Sequence, residues 1–177
     1  MLDHPGALDP GPDLVAVAQQ DHRRGCGAPV RRPIFVHQRL AELSAEQEEA
    51  LAKYGLDLGF AFQIADDVLD YVSDAGTLGK NVGDNLAEGK PTLPLIDAIA
   101  RSAPAEAAKL KHAITEGGRD ALADVLAAIH VTGALERSRE RAHAYARSAR
   151  EALKALPRSD ARDALATLAD YAIDRTR

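Results

Sequence analysis

Tryptophan is missing from this chain, and cysteine and methionine occur once each among its 177 residues. The lone Cys26 forbids an internal disulfide and leaves the redox compartment open. Aromatic residues make up only 4%, so any core has to be filled by small and aliphatic side chains. No run of about 18 apolar residues occurs, and no membrane-spanning helix is expected. Positive charge is short as well. The 22 Lys and Arg stand against 27 Asp and Glu, a net charge of −5, whereas nucleic-acid binding needs a basic footprint. The opening Met-Leu-Asp-His-Pro lacks the charged-then-apolar order of a signal peptide, so a cytoplasmic location is expected.

What is present points to helices. Hydrophobic residues reach 46% and charged residues 28%, which excludes disorder and collagen-like repeats. Alanine supplies 35 residues; it has the best helix propensity and lets helix axes approach closely. The composition changes near residue 39. Residues 1–38 hold no Lys and no Glu, yet carry five of the nine Pro and three of the six His. Arg23, Arg24, Arg31 and Arg32 sit there among Gly and Pro without a period of 2 or 3.6. Residues 1–38 therefore read as irregular, with at most one helical turn around Leu14–Gln20.

From Gln38 onward the punctuation is that of helices. Ser44 with Gln47 forms a capping box that opens a long helix over about 45–73. In it Leu51, Tyr54, Leu58, Phe62, Ala65, Leu69 and Val72 alternate in steps of three and four and predict the buried stripe. Gly55 and Gly59 inside it predict a close helix neighbour, since each otherwise costs up to about 1 kcal/mol. A Gly-rich loop follows over about 74–91. Pro94 suits the first turn of a helix to about Ser102, and further helices are expected at about 104–115 and 119–130. Gly133 precedes a long helix to Leu156, Pro157 stops it, and Ser159 caps a last helix whose Arg175 and Arg177 suit its C-terminal dipole. Ala142, Ala146, Ala149, Leu153 and Leu156 form a packing seam. The fold class is all-α.

The segment Phe60–Asp70 carries the chemistry. At about 100° per residue, Gln63, Asp66, Asp67 and Asp70 fall in one stripe, beside an apolar one. Carboxylates at i,i+4 repel on a helix, and a hard divalent cation such as Mg²⁺ compensates them, often sharing its shell with substrate phosphates. A solvated acidic face is the alternative for such spacing alone. The loop that follows, Gly79-Lys80-Asn81-Val82-Gly83-Asp84-Asn85-Leu86-Ala87-Glu88-Gly89-Lys90-Pro91-Thr92, adds glycines for close backbone approach and Lys80 and Lys90 for phosphate oxygens. Asp84 is a further metal-side candidate.

At these residues the sequence resembles the trans-isoprenyl diphosphate synthases, the polyprenyl synthetase family. Phe62, Gln63, Asp66, Asp67 and Asp70 resemble the second aspartate-rich motif of that family, and the GK…GD…EGKPTLP run resembles the loop after it. The resemblance covers about residues 39–177, a partial polyprenyl synthase domain, and implies the C-terminal part of an isoprenoid-synthase-type helical bundle. It implies a prenyltransferase of isoprenoid biosynthesis, in which an allylic diphosphate ionises and isopentenyl diphosphate attacks the cation. By the same resemblance Asp66 and Asp70 would hold Mg²⁺ with Asp67 in support. Asp84 would orient a water of the metal, and Lys80 would contact the allylic diphosphate. Phe62 and Gln63 would line the site near the reacting carbons, with Lys90 as loop anchor or distant phosphate contact. The family's first aspartate-rich motif does not occur in this sequence, so the chain alone is expected to be inactive. Homo-oligomerisation or association with a full-length synthase is expected through apolar faces of helices 45–73 and 93–102. Two other readings are a non-catalytic partner subunit and the product of a truncated or frame-shifted gene.

Other conspicuous residues carry no expected role. His112, His130 and His143 lie on separate helices without an i,i+4 partner that a metal site would need. The face of Arg137, Arg139, Arg141, Arg147 and Arg150 is interleaved with acids and reads as solvated.

Overall fold

The computed structural model describes residues 43–72, 84–116 and 119–174, and its regular structure there is entirely helical. We number the helices α1 (Ala45–Val72), α2 (Asp84–Ala87), α3 (Leu93–Arg101), α4 (Pro104–Glu116), α5 (Leu122–Thr132), α6 (Ala134–Ala152) and α7 (Asp160–Asp174). Single 3₁₀ turns at Arg119–Ala121 and Leu153–Ala155 lead into α5 and out of α6. The expected irregular segment 1–38, and the roles given to Arg175 and Arg177, lie outside the described residues.

Local signals set the helix ends. Gln47 N–H donates to Ser44 Oγ at 3.3 Å, and Ser44 N–H donates back to Gln47 Oε1 at 3.0 Å, so two orphan donors are satisfied reciprocally. Ser159 Oγ accepts from Arg162 N–H at 3.2 Å and caps α7. Gly133 turns the chain between α5 and α6 with φ of 68°, where a Cβ is strained.

α1 lies along α6, and α7 packs on both. Ala142, Ala146 and Ala149 are all buried on α6, which lets α6 lie close to α1 and realises the expected seam. They meet Ala61 and Ile64 in one cluster and Tyr54, Leu153 and Ala169 in the next. A third cluster gathers Tyr71, Leu86, Leu95, Leu110, Val125 and Ile129 from α1 to α5. It ties down the end of α1 that carries the acidic residues.

Three expectations are corrected. The buried stripe of α1 runs through Tyr54, Ala61, Ile64, Ala65, Val68 and Tyr71, whereas Phe62 is 46% and Val72 39% exposed. α1 is apolar on two sides, and contact with the alanines of α6 selects one. No heavy atom lies within 4 Å of a Cβ built on Gly59, so among the described residues helix approach does not account for that glycine. Finally, the loop 74–91 contains α2. Gly89 N–H donates to Leu86 O at 3.0 Å and Lys90 N–H to Asn85 O at 2.8 Å, with Gly89 at φ of 68°. This is a Schellman stop, so Gly89 ends a helix turn.

The Arg-rich face of α6 is also less uniform than expected. Arg137 Nε donates to Asp97 Oδ2 at 3.0 Å and joins α6 to α3, while Asp97 Oδ1 accepts from Arg101 at 3.2 Å.

Candidate functional site

The acidic residues occupy the last third of α1, where that helix meets the start of α3. Ile64, Ala65, Val68 and Tyr71 are drawn into the core, and this rotation decides where each neighbour points. Phe62 and Gln63 are exposed, and Asp66, Asp67 and Asp70 are half-buried. Phe62 sits one turn before Asp66, so an aromatic ring and carboxylates share the accessible side of the helix.

Asp67 is engaged inward. Its Oδ2 accepts the Leu93 backbone N–H at 3.2 Å, and its Oδ1 accepts Gln63 Nε2 at 3.0 Å. Leu93 is the first residue of α3, and its N–H is one of the orphan donors of a helix start. Thr92, at the N-cap position, makes no side-chain cap bond. Its hydroxyl instead pairs with the Tyr71 hydroxyl at 2.5 Å, in a buried contact. Two bonds from successive turns of α1 thus fix the entry of α3.

The electrostatics follow from burial. Desolvation drives the Asp67 carboxyl above its ordinary range; the bonds from Leu93 and Gln63 oppose this, and the neighbouring charges of Asp66 and Asp70 add to it. Burial likewise pushes the Tyr71 phenol up, with Asp70 and Asp67 contributing and the bond to Thr92 opposing. A carboxylate held in such a place stays bound to its donors.

The remaining expected residues are placed less tightly. Asp84 is the first residue of α2, and its side chain lies outside the described residues, as does the whole of Lys80. Lys90 is exposed and ion-paired with Glu88, a surface contact worth about 0–1 kcal/mol. His112 and His130 are exposed, and among the described residues no three His, Cys, Asp or Glu side chains group as a metal cage. Sequence reading missed Tyr71, Thr92 and the Leu93 amide. The only signal available was an N-cap Thr before Leu-Pro, with nothing to say which acid would meet it.

On chemistry alone, Asp66 and Asp70 present hard carboxylate oxygens one turn apart, the donor type that Mg²⁺ takes. Mg²⁺ is commonly bound through one or two carboxylates plus substrate phosphates, without a full protein cage. The carboxylate donor type fits the ion.

Comparison with known proteins adds the context. A family model described as Polyprenyl synthetase matches residues 20–131. The chain is 48% identical over 139 residues to the octaprenyl diphosphate synthase of Escherichia coli (strain K12), covering 78% of this chain and 43% of that protein. It is similar to the crystal structure of a decaprenyl diphosphate synthase from Rhodobacter capsulatus, with a TM-score of 0.72 and 39% identity over 80% of this chain and 44% of that one. A polyprenyl synthase from Caulobacter crescentus CB15, complexed with calcium and isoprenyl diphosphate, gives a TM-score of 0.66 at 45% identity, covering 77% of this chain and 42% of that one. The chain spans less than half the length of these relatives.

Proposed function

Because the chain belongs to the polyprenyl synthetase family, we propose that it carries the diphosphate-holding half of a prenyltransferase of isoprenoid biosynthesis. The carrying observation is the division of labour on α1. Asp67 accepts the Leu93 amide, and Asp66 and Asp70, half-buried, lie on the same stretch of α1 as exposed Phe62. By the family resemblance Asp66 and Asp70 would hold Mg²⁺, and Asp84 would orient a water of the metal. When bound, Mg²⁺ supplies electrostatic stabilisation of the charge that develops on a departing diphosphate. Lys80 contacts the same oxygens, and Lys90 anchors the loop or reaches a distant phosphate. Phe62 and Gln63 line the path of the allylic carbons. Asp67 ties the start of α3 to α1, which preorganises the acidic end of the helix.

The substrates on this reading are an allylic diphosphate and isopentenyl diphosphate, handled in the cytoplasm. The allylic C–O bond breaks with its electron pair leaving on diphosphate. The alkene of isopentenyl diphosphate forms the new C–C bond, and a proton is lost. A DDxxD motif occurs only once in this sequence, and we propose that the chain alone binds the Mg²⁺–diphosphate pair without turnover. Titration calorimetry of the chain with an allylic diphosphate, with and without Mg²⁺, tests this. Binding that requires Mg²⁺ and is lost in D66A/D70A supports the reading; equal binding by that variant overturns it.

The 44%, 46% and 39% exposure of Leu56, Phe62 and Val72 on α1 favours a second reading, a subunit that self-associates or docks on a full-length synthase. Co-purification with a longer homologue separates the two.

A further inference from the structure

Toward the opposite end of α1 from the acidic stripe lies a positively charged concavity. It forms where α6 ends, the chain turns through Leu153–Ala155 and Pro157, and α7 sets off. Leu153 packs with Tyr54, and Tyr54 stands thirteen residues before Asp67 on the same helix, about 20 Å away at 1.5 Å per residue. The concavity has a volume of about 930 Å³. Arg147, Arg150 and Lys154 line it from the α6 side, and Arg158 and Arg162 from the α7 side. Leu153 and Ala166 supply the apolar part of the lining. The acidic residues in the lining are Glu151 and Asp163, so five cations oppose two anions in a chain whose net charge is −5.

Part of this charge is already engaged. Arg150 pairs with Asp170 at 3.0 Å, Lys154 with Glu151 at 2.6 Å, and Arg162 with Asp163 at 3.6 Å. Arg162 also donates to the Leu156 carbonyl at 3.3 Å, which serves the end of the preceding turn. Lys154 and Arg150 favour the negative end of the α6 dipole. These roles account for three of the five. Arg147 and Arg158 have no acidic partner among the described residues, are exposed, and line the same concavity. Two guanidinium groups with unspent donor forks lining one groove make a receptor for phosphate oxygens, which they bind bidentately.

We infer that this groove binds a multiply charged phosphate anion, either free diphosphate or the headgroup of an anionic phospholipid. Leu153 and Ala166 are the apolar side chains in a lining otherwise polar or charged, so recognition rests on charge. The inference is independent of the Mg²⁺ reading, because the groove has its own cations and needs no metal.

The test uses the full 177-residue chain in EDTA at low salt, which silences any Mg²⁺-dependent site. Inorganic diphosphate is titrated by calorimetry. In parallel, the protein is floated with phosphatidylglycerol–phosphatidylcholine vesicles and with phosphatidylcholine alone. R147S/R158S removes the two unengaged cations, and K109S/K111S, on exposed α4 positions, makes the same charge change elsewhere. Circular dichroism verifies that both variants fold. Saturable one-to-one binding of diphosphate, weakened at least fivefold by R147S/R158S and less than twofold by K109S/K111S, assigns the groove to a free phosphate anion. The same pattern in phosphatidylglycerol flotation alone assigns it to a lipid headgroup. No saturable binding in either arm, or equal weakening by both variants, overturns the proposal.

Discussion

Replacing Asp67 separates its packing role from its charge. In D67A, the Leu93 N–H loses the carboxylate that accepts it at 3.2 Å, in a contact that is partly closed to water. Leaving such a donor unsatisfied costs about 1–3 kcal/mol. The bond from exposed Gln63 adds little. A loss of about 2 kcal/mol lowers the folded-to-unfolded ratio about 30-fold and, at a urea slope of about 2 kcal/mol per molar, moves the midpoint by about 1 M. D67N keeps an oxygen for Leu93 N–H, and a rotated Gln63 amide accepts from the new Nδ2. It also removes a charge that burial, Asp66 and Asp70 all penalise. We expect D67N to match or exceed the parent chain at pH 7. The pH profile carries the same information. Because the folded Asp67 carboxyl sits above its ordinary value, the folded state binds more protons than the unfolded one from about pH 4 upward. Stability therefore falls as pH rises through that window and levels off above the raised pKa. In D67N this component is absent, so its advantage grows from pH 4 and then stays constant. Urea titrations in EDTA at several pH values measure both effects. A D67A chain as stable as the parent, or a D67N chain as damaged as D67A, would refute the reasoning.

Three further outcomes are expected. A146L forces a larger side chain between α6 and the Ala61–Ile64 face of α1 and lowers stability by about 1–3 kcal/mol in guanidinium melts; an unchanged midpoint would show that the two helices are not tightly packed. G133A places a Cβ at φ of 68°, 3.2 Å from Arg137 Nη1. The arginine tip can move, so the left-handed backbone sets the cost at about 1–2 kcal/mol, visible as a lower Tm. Y54F deletes the bond that Tyr54 donates to Leu165 O at 2.8 Å, at a cost of about 1 kcal/mol. Burial pushes this phenol up to about 12, so the parent chain loses stability as pH rises above about 10 while the unfolded phenol ionises first. Y54F should show a smaller alkaline loss than the parent chain in parallel denaturation curves, the remainder coming from the Tyr71 phenol, which burial also pushes up.

Much of the helix punctuation was legible because it is local. The Ser44–Gln47 box, the Ser159 cap, Pro157 and Gly133 each act within one turn of chain, and the structure carries all four. The alanine seam of α6 was legible for the same reason: Ala142, Ala146 and Ala149 recur on one side of one helix. Local reading failed where a residue had two suitable neighbourhoods. α1 is apolar on two sides, and its own pattern nominated Phe62 and Val72 for burial. Gly89 was read as room for a ligand, and it instead ends α2.

The carboxylates mark the boundary between the two kinds of information. That Asp66, Asp67 and Asp70 share one side of a helix follows from the 3.6-residue repeat, while their likeness to an aspartate-rich motif is a resemblance read from the residue string itself. That Asp67 serves the Leu93 amide depends on a helix start 26 positions later in the chain, brought there by the core around Tyr71, Leu86 and Leu95. The basic groove has the same origin, since Arg147 and Arg158 share it only because the chain turns back after α6. The sequence by itself determined the helices, their ends and the family to which they belong, because periodicity, capping and motif spacing are properties of neighbouring residues. Tertiary structure alone decided which face of α1 is buried, which acid is engaged and where the arginines gather, because each depends on contacts between segments far apart in the chain.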